Sequence, residues 1–122
     1  MIRDKKERQM SDKPRVITLC GSTRFIEHFA VMAWELEKQG AIVLGLHYLP
    51  PSYFDGKVVE NHLAEHESVA EHFDNLHLRK IDLSDSVYVL NVNSYIGDST
   101  KREIEYAKKN GKPISYLEPI ES

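Results

Sequence analysis

The first regular pattern along the chain is an apolar run, Val16-Ile17-Thr18-Leu19-Cys20, with the length and β-branched content of a buried strand. Gly21-Ser22-Thr23 follows as a turn whose hydroxyls suit the start of a helix. Phe25, Phe29, Ala33 and Leu36 then recur at helical spacing, and Gly40 supplies the stop. Ala41 to Leu46 is a second apolar run of strand length. From His47 to His62 no period holds; Pro50-Pro51 and Gly56 interrupt a stretch carrying Tyr48, Tyr53 and Phe54, and a loop of that length in a compact domain is usually functional or mobile. The helical period returns from about Glu65 to Leu83, with Val69, Phe73, Leu76 and Ile81 as inward positions. Ser86 to Val92 reads as a third strand. Asp98 to Asn110 reads as a third main helix closed by Gly111 and Pro113, and Ile114 to Leu117 as a short fourth strand.

Strands alternating with helices predict an α/β fold: a small three-layer sandwich around a four-stranded parallel sheet of flavodoxin- or Rossmann-like type. Residues 1–13 mix Arg3, Lys5, Lys6 and Arg8 with Asp4, Glu7 and Asp12 and read as a flexible charged segment. Residues 14–122 then form a single nucleotide-binding α/β domain. Ligands of such sheets sit at the carboxyl ends of the strands, near the switch in strand order. With strand order 2-1-3-4, the turn Gly21 to Arg24 and the segment Asn93 to Glu103 face one crevice.

Composition narrows the function classes. The chain has 122 residues, enough for one domain with one core. Its formal net charge of −3 speaks against a nucleic-acid polymer as partner, which calls for a basic face. No apolar run approaches the length of a membrane span, and Met1 to Pro14 lacks the apolar stretch of a secretory signal. A single cysteine, Cys20, permits no internal disulfide, so a cytoplasmic location is expected. Among the six histidines, His62 and His66 are four apart, as metal ligands on one helix face are, but no Cys or His-Glu-x-x-His arrangement accompanies them. No metal site or cofactor is expected.

Two motifs carry candidate chemistry, each with a plainer use. In Gly21-Ser22-Thr23-Arg24, Gly21 lets backbone approach a ligand, Ser22 and Thr23 offer hydroxyls, and Arg24 suits a phosphate. The plain use is a helix cap with a solvated Arg. The G-x-G-x-x-G dinucleotide spacing is absent. In Gly97-Asp98-Ser99-Thr100-Lys101-Arg102-Glu103, a Gly and hydroxyls between strand and helix can cradle an anion or sugar, and Glu103 can attack what sits there. The plain use is a capping box from Thr100 to Glu103, which would place Glu103 in the first helical turn with its pKa lowered by the helix dipole. A lowered pKa suits a nucleophile. Tyr48 and Tyr53 suit stacking on a nucleobase, and His47 ends the second strand within reach of the crevice. The plain use of these aromatics is to anchor the loop.

Leu19-Cys20-Gly21-Ser22-Thr23-Arg24, Ser84-Asp85-Ser86-Val87-Tyr88-Val89, Ser99-Thr100-Lys101-Arg102-Glu103-Ile104-Glu105-Tyr106-Ala107 and Gly111-Lys112-Pro113 together resemble the nucleoside 2-deoxyribosyltransferase-like family. That family includes nucleoside deoxyribosyltransferases and nucleoside 5′-monophosphate N-glycosidases. The resemblance implies that Glu103 is the nucleophile at C1′ and that Ser22 and Arg24 hold the 5′-phosphate. Gly21, Thr23, Asn93, Gly97, Ser99 and Thr100 are the other residues expected to bind substrate or phosphate. The family's cradle Gly is replaced here by Ser99. Its helix Asp, counted back from Ile81, is replaced by His77, which would protonate a leaving base or, alternatively, pack with Phe73 and Ile81. The resemblance also implies a homodimer or higher homo-oligomer, a nucleotide or nucleoside substrate and no cofactor. The expected function is N-glycosidic cleavage or base exchange. The alternatives are a non-catalytic nucleotide-sensing module of this fold and a phosphoribohydrolase of the cytokinin-activating kind, whose Pro-Gly-Gly lead is missing.

Overall fold

The structure is a computed structural model that describes residues 13–46 and 69–120. The expectations for residues 1–12, the proposed base contacts His47, Tyr48 and Tyr53, the pair His62 and His66, and the start of the second long helix lie outside the described residues. Chain order is β1 (Val16–Cys20), a 3-10 turn (Thr23–Phe25), α1 (Ile26–Lys38), β2 (Ile42–Leu44), α2 (Ala70–Leu83), β3 (Ser86–Val89), a second 3-10 turn (Val92–Ser94), α3 (Asp98–Lys109) and β4 (Ile114–Tyr116). The strands form one all-parallel sheet in the order β2-β1-β3-β4, as the alternating pattern predicts.

Side-chain alternation sorts the sheet into two faces. Ile17, Leu19, Val43 and Leu90 meet Phe29 and Leu36 of α1 on one face. Cys20, Val87 and Val89 meet Ile81 of α2 and Ile104 and Ala107 of α3 on the other. Three layers result. Both glycine stops behave as expected: Gly40 and Gly111 have φ of 97° and 71°, and the amides at and after each close onto the last helical turn.

Several local expectations change. β3 ends at Val89 rather than Val92, because the chain turns at Val92–Ser94, with Asn93 and Ser94 at φ of 53° and 64°. On α2, Leu76 is 41% exposed while His77 is buried at 3%; the helix turns its polar residue inward and an apolar one outward. α2 ends at Ser84, whose hydroxyl donates to the Ile81 carbonyl, and the Asp85 carboxylate accepts from the Val16 amide at 2.8 Å and so fixes the start of β1. Among the described residues no helix is long and apolar enough to cross a membrane.

Candidate functional site

β1 and β3 are central neighbours, and their last residues, Cys20 and Val89, are in register. The chain leaves both strands at the same end of the sheet, where the strand order switches. After β1, the Ser22 hydroxyl accepts from the Arg24 amide at 3.2 Å and caps the 3-10 turn that leads into α1. After β3, the chain passes through Tyr95 to Gly97 and enters α3. The two exits touch: the Arg24 guanidinium lies 4.2 Å from the centroid of the Tyr95 ring, and Phe25 meets the same ring edge-on at 6.0 Å. Arg24 is exposed beside this contact. Thr23 is half-buried.

Gly21 has a different use from the one its sequence suggests. A Cβ there would lie 3.2 Å from Leu90 Cβ and 3.3 Å from the Leu90 carbonyl oxygen, so the close approach it permits is between the two strand exits. Gly97 is the N-cap of α3, with ordinary extended backbone and no side-chain cap. That displaces the expected capping box. Thr100 is the third helical residue and is buried, and Glu103 lies in the second turn, so the two do not cap the helix reciprocally. Asn93 points to another role as well: its amide donates to Glu118 Oε2 at 2.8 Å, the Ser94 amide donates to Glu118 Oε1 at 3.1 Å, and its own side chain is exposed.

Below the crevice, Glu103 from α3, His77 from α2 and Cys20 from β1 converge. All three are buried, and one donor atom from each lies within 4.8 Å of the others. His77 Nε2 is 3.7 Å from Glu103 Oε1, too far for a hydrogen bond, and neither ring nitrogen nor Glu103 Oε1 has a hydrogen-bond partner in the structure. Burial pushes the Glu103 carboxyl up to about 8, and the nearby Asp74 charge adds to it; the Cys20 thiol and Arg102 act in the opposite sense. The expectation of a lowered pKa is therefore overturned, because desolvation outweighs a helix dipole that is felt mainly in the first turn. Burial also pushes the Cys20 thiol well above its ordinary value, with Glu103 beside it contributing. Burial, then the Lys80 ammonium, holds His77 down at about 4, while the Leu19 backbone works the other way. His77 is neutral at pH 7 and enclosed, which removes it as the acid for a leaving base.

Sequence reasoning missed Asp74. This residue sits one turn before His77 on α2, half-buried, and its Oδ1 accepts from the Ser99 hydroxyl at 3.3 Å. Arg102 approaches its other oxygen at 3.6 Å. The signal was present: Asp74 stands four residues before Leu78, the spacing sought for a helix Asp, but the count was taken from Ile81. Asp74, Ser99 and Glu103 thus make one group across the α2–α3 seam. Comparison with protein-family models, with curated proteins and with solved structures finds no match to any of the three.

Proposed function

We propose that the chain cleaves or exchanges the N-glycosidic bond of a nucleoside 5′-monophosphate or deoxynucleoside, as the resemblance to the nucleoside 2-deoxyribosyltransferase-like family implies. The observation that carries this reading is a pair of carboxyls, Glu103 and Asp74, within electrostatic reach of each other at the switch point of the sheet. Two carboxyls flanking one sugar are what glycosyl transfer with a covalent intermediate requires. A Glu103 oxygen bonds to C1′ as the bond from C1′ to the base nitrogen breaks. The base leaves with the electron pair and takes up the proton that Glu103 must lose to attack, with the ionised Asp74 carboxylate rather than His77 as the group that can pass it on. Water or a second base then attacks C1′ and frees Glu103. Ser22 and Arg24 hold the phosphate, and Ser99 and Asp74 orient the sugar. A cytoplasmic homodimer belongs to the same proposal, since members of this family complete the pocket from a second subunit.

One observation favours the rival reading of a nucleotide-binding module that does not cut: Glu103 keeps its proton to about pH 8, and a protonated carboxyl is no nucleophile. Incubation with a panel of nucleotides and nucleosides at pH 7 and pH 9, with chromatography for free base, separates the two. Base release that Glu103→Gln abolishes supports the glycosidase. Saturable nucleotide binding with no base at either pH favours the sensing module, and base release that survives Glu103→Gln removes Glu103 as nucleophile.

A further inference from the structure

The geometry points to a transition-metal site at Cys20, His77 and Glu103 that takes Zn²⁺ through the thiolate, one imidazole nitrogen and the carboxylate. The three residues come from β1, α2 and α3, elements fixed by the two-sided core, so the donors are held in place rather than gathered from loops. The separation of 3.7 Å between His77 Nε2 and Glu103 Oε1 is too long for a hydrogen bond. It is a little wider than the N···O edge of a tetrahedron around zinc, ~3.3–3.5 Å for bonds of ~2.0–2.2 Å, so small side-chain shifts would close both donors onto one ion.

The second observation is how little else engages these atoms, with the Leu19 backbone beside His77 and the Cys20 thiol, itself a proposed donor, beside Glu103. His77 is 3% exposed and Glu103 9%, yet both ring nitrogens and Glu103 Oε1 have no partner in the structure. Buried polar atoms are satisfied in nearly all native proteins, and an orphaned set facing one point is where an ion fits. Charge completes the argument. Zn²⁺ with one thiolate, one carboxylate and one neutral imidazole is neutral overall, so the filled site is compatible with burial as single charges are not. Binding releases one proton from Cys20 and one from Glu103, and no redox change occurs. A thiolate beside an imidazole selects zinc or cobalt over magnesium or calcium. Three protein donors leave the fourth position to water or another small ligand.

This site was invisible in the sequence, where the histidine spacing was tested and Cys20 and Glu103 lie 83 residues apart (103 − 20). It shares Glu103 with the proposed reaction, and a zinc-bound carboxylate is not free to attack C1′, so the two uses exclude each other at any one moment. The full chain, stripped with a chelator, is titrated with Co²⁺ and followed by absorbance. Zn²⁺ affinity is then measured by competition with a chromophoric chelator. The chain's single cysteine makes a thiolate-to-cobalt charge-transfer band specific for Cys20. The expected result is one Co²⁺ per chain with that band. His77→Gln and Glu103→Gln should each weaken Zn²⁺ by tenfold or more, while exposed His72→Gln leaves it unchanged. Absence of the band in the folded wild-type protein overturns the inference whatever the variants do, and so does a band of undiminished affinity in both His77→Gln and Glu103→Gln. Base release is scored separately in chelator, so failure of the glycosidase reading and failure of the metal site are distinguishable.

Discussion

His77 Nε2 and Glu103 Oε1 face each other at 3.7 Å in the interior, and in the metal-free protein each is held in its uncharged form. The pair sets opposite pH dependences. Glu103 binds its proton more tightly folded than unfolded, so its contribution falls as pH rises from about 4.5 to about 8. His77 binds its proton less tightly folded, so its contribution falls as pH drops from 6.5 to about 4. Between 4.5 and 6.5 the two slopes oppose and offset. Above pH 6.5 only the Glu103 slope remains, and a loss on the order of 2 kcal/mol by pH 8 is expected. Urea melts at half-unit pH steps in chelator measure it. Glu103→Gln should flatten the alkaline side and leave the acid side in place.

The rate of base release should rise with pH. If Glu103 attacks as the carboxylate, only about a tenth of the free protein is competent at pH 7, given a carboxyl held up to about 8. A kcat/KM profile that climbs roughly tenfold per pH unit between 6 and 7.5, then levels, is the expected outcome. A flat profile over that range would mean that the attacking group is already ionised.

Asp74→Asn should lower base release by about 10²–10⁴-fold, the usual worth of a positioned acid or base. It should also move the pH profile to lower pH, because the Asp74 charge is one of the causes that raise Glu103. A profile that stays in place would show that the Asp74 charge is not felt at Glu103. Ser99→Ala, which removes the hydroxyl that donates to Asp74 at 3.3 Å, should act in the same direction and more weakly.

Gly21→Ala should destabilise the fold by about 1–3 kcal/mol, the range for overpacking, since the added methyl meets Leu90 side chain and backbone at 3.2 and 3.3 Å. Thermal melts read the loss. An unchanged midpoint would show that the two strand exits separate without cost.

The sheet was readable because its signals are local and redundant. Val16 to Cys20 is apolar but for Thr18, as suits a central parallel strand, and Gly40 and Gly111 each occupy the left-handed position that ends a helix. The site was half readable. Ser22 caps the turn after β1 as its type suggests. What failed was anything set by packing between distant elements. His77 admitted two uses, an acid for the leaving base or a residue packed with Phe73 and Ile81, because one polar residue between Leu76 and Leu78 does not assign a helix face; its burial favours packing and holds it neutral. The pKa of Glu103 was misjudged for the same reason: the helix dipole is legible in sequence, whereas desolvation by α2 and β1 is not. Asp74 was missed through a register offset of three residues, close to one helical turn.

The Glu118 clasp has a reach beyond its own hydrogen bonds. Its two carboxylate oxygens hold the consecutive amides of Asn93 and Ser94, and its backbone pairs twice with the Asn91 side chain. The segment that carries Tyr95, the ring beneath Arg24, is thereby suspended from the exit of β4 at the rim of the sheet. A residue two positions past the last strand thus acts at the centre of the sheet, and a change in the chain after β4 carries through to the contact of Arg24 with Tyr95.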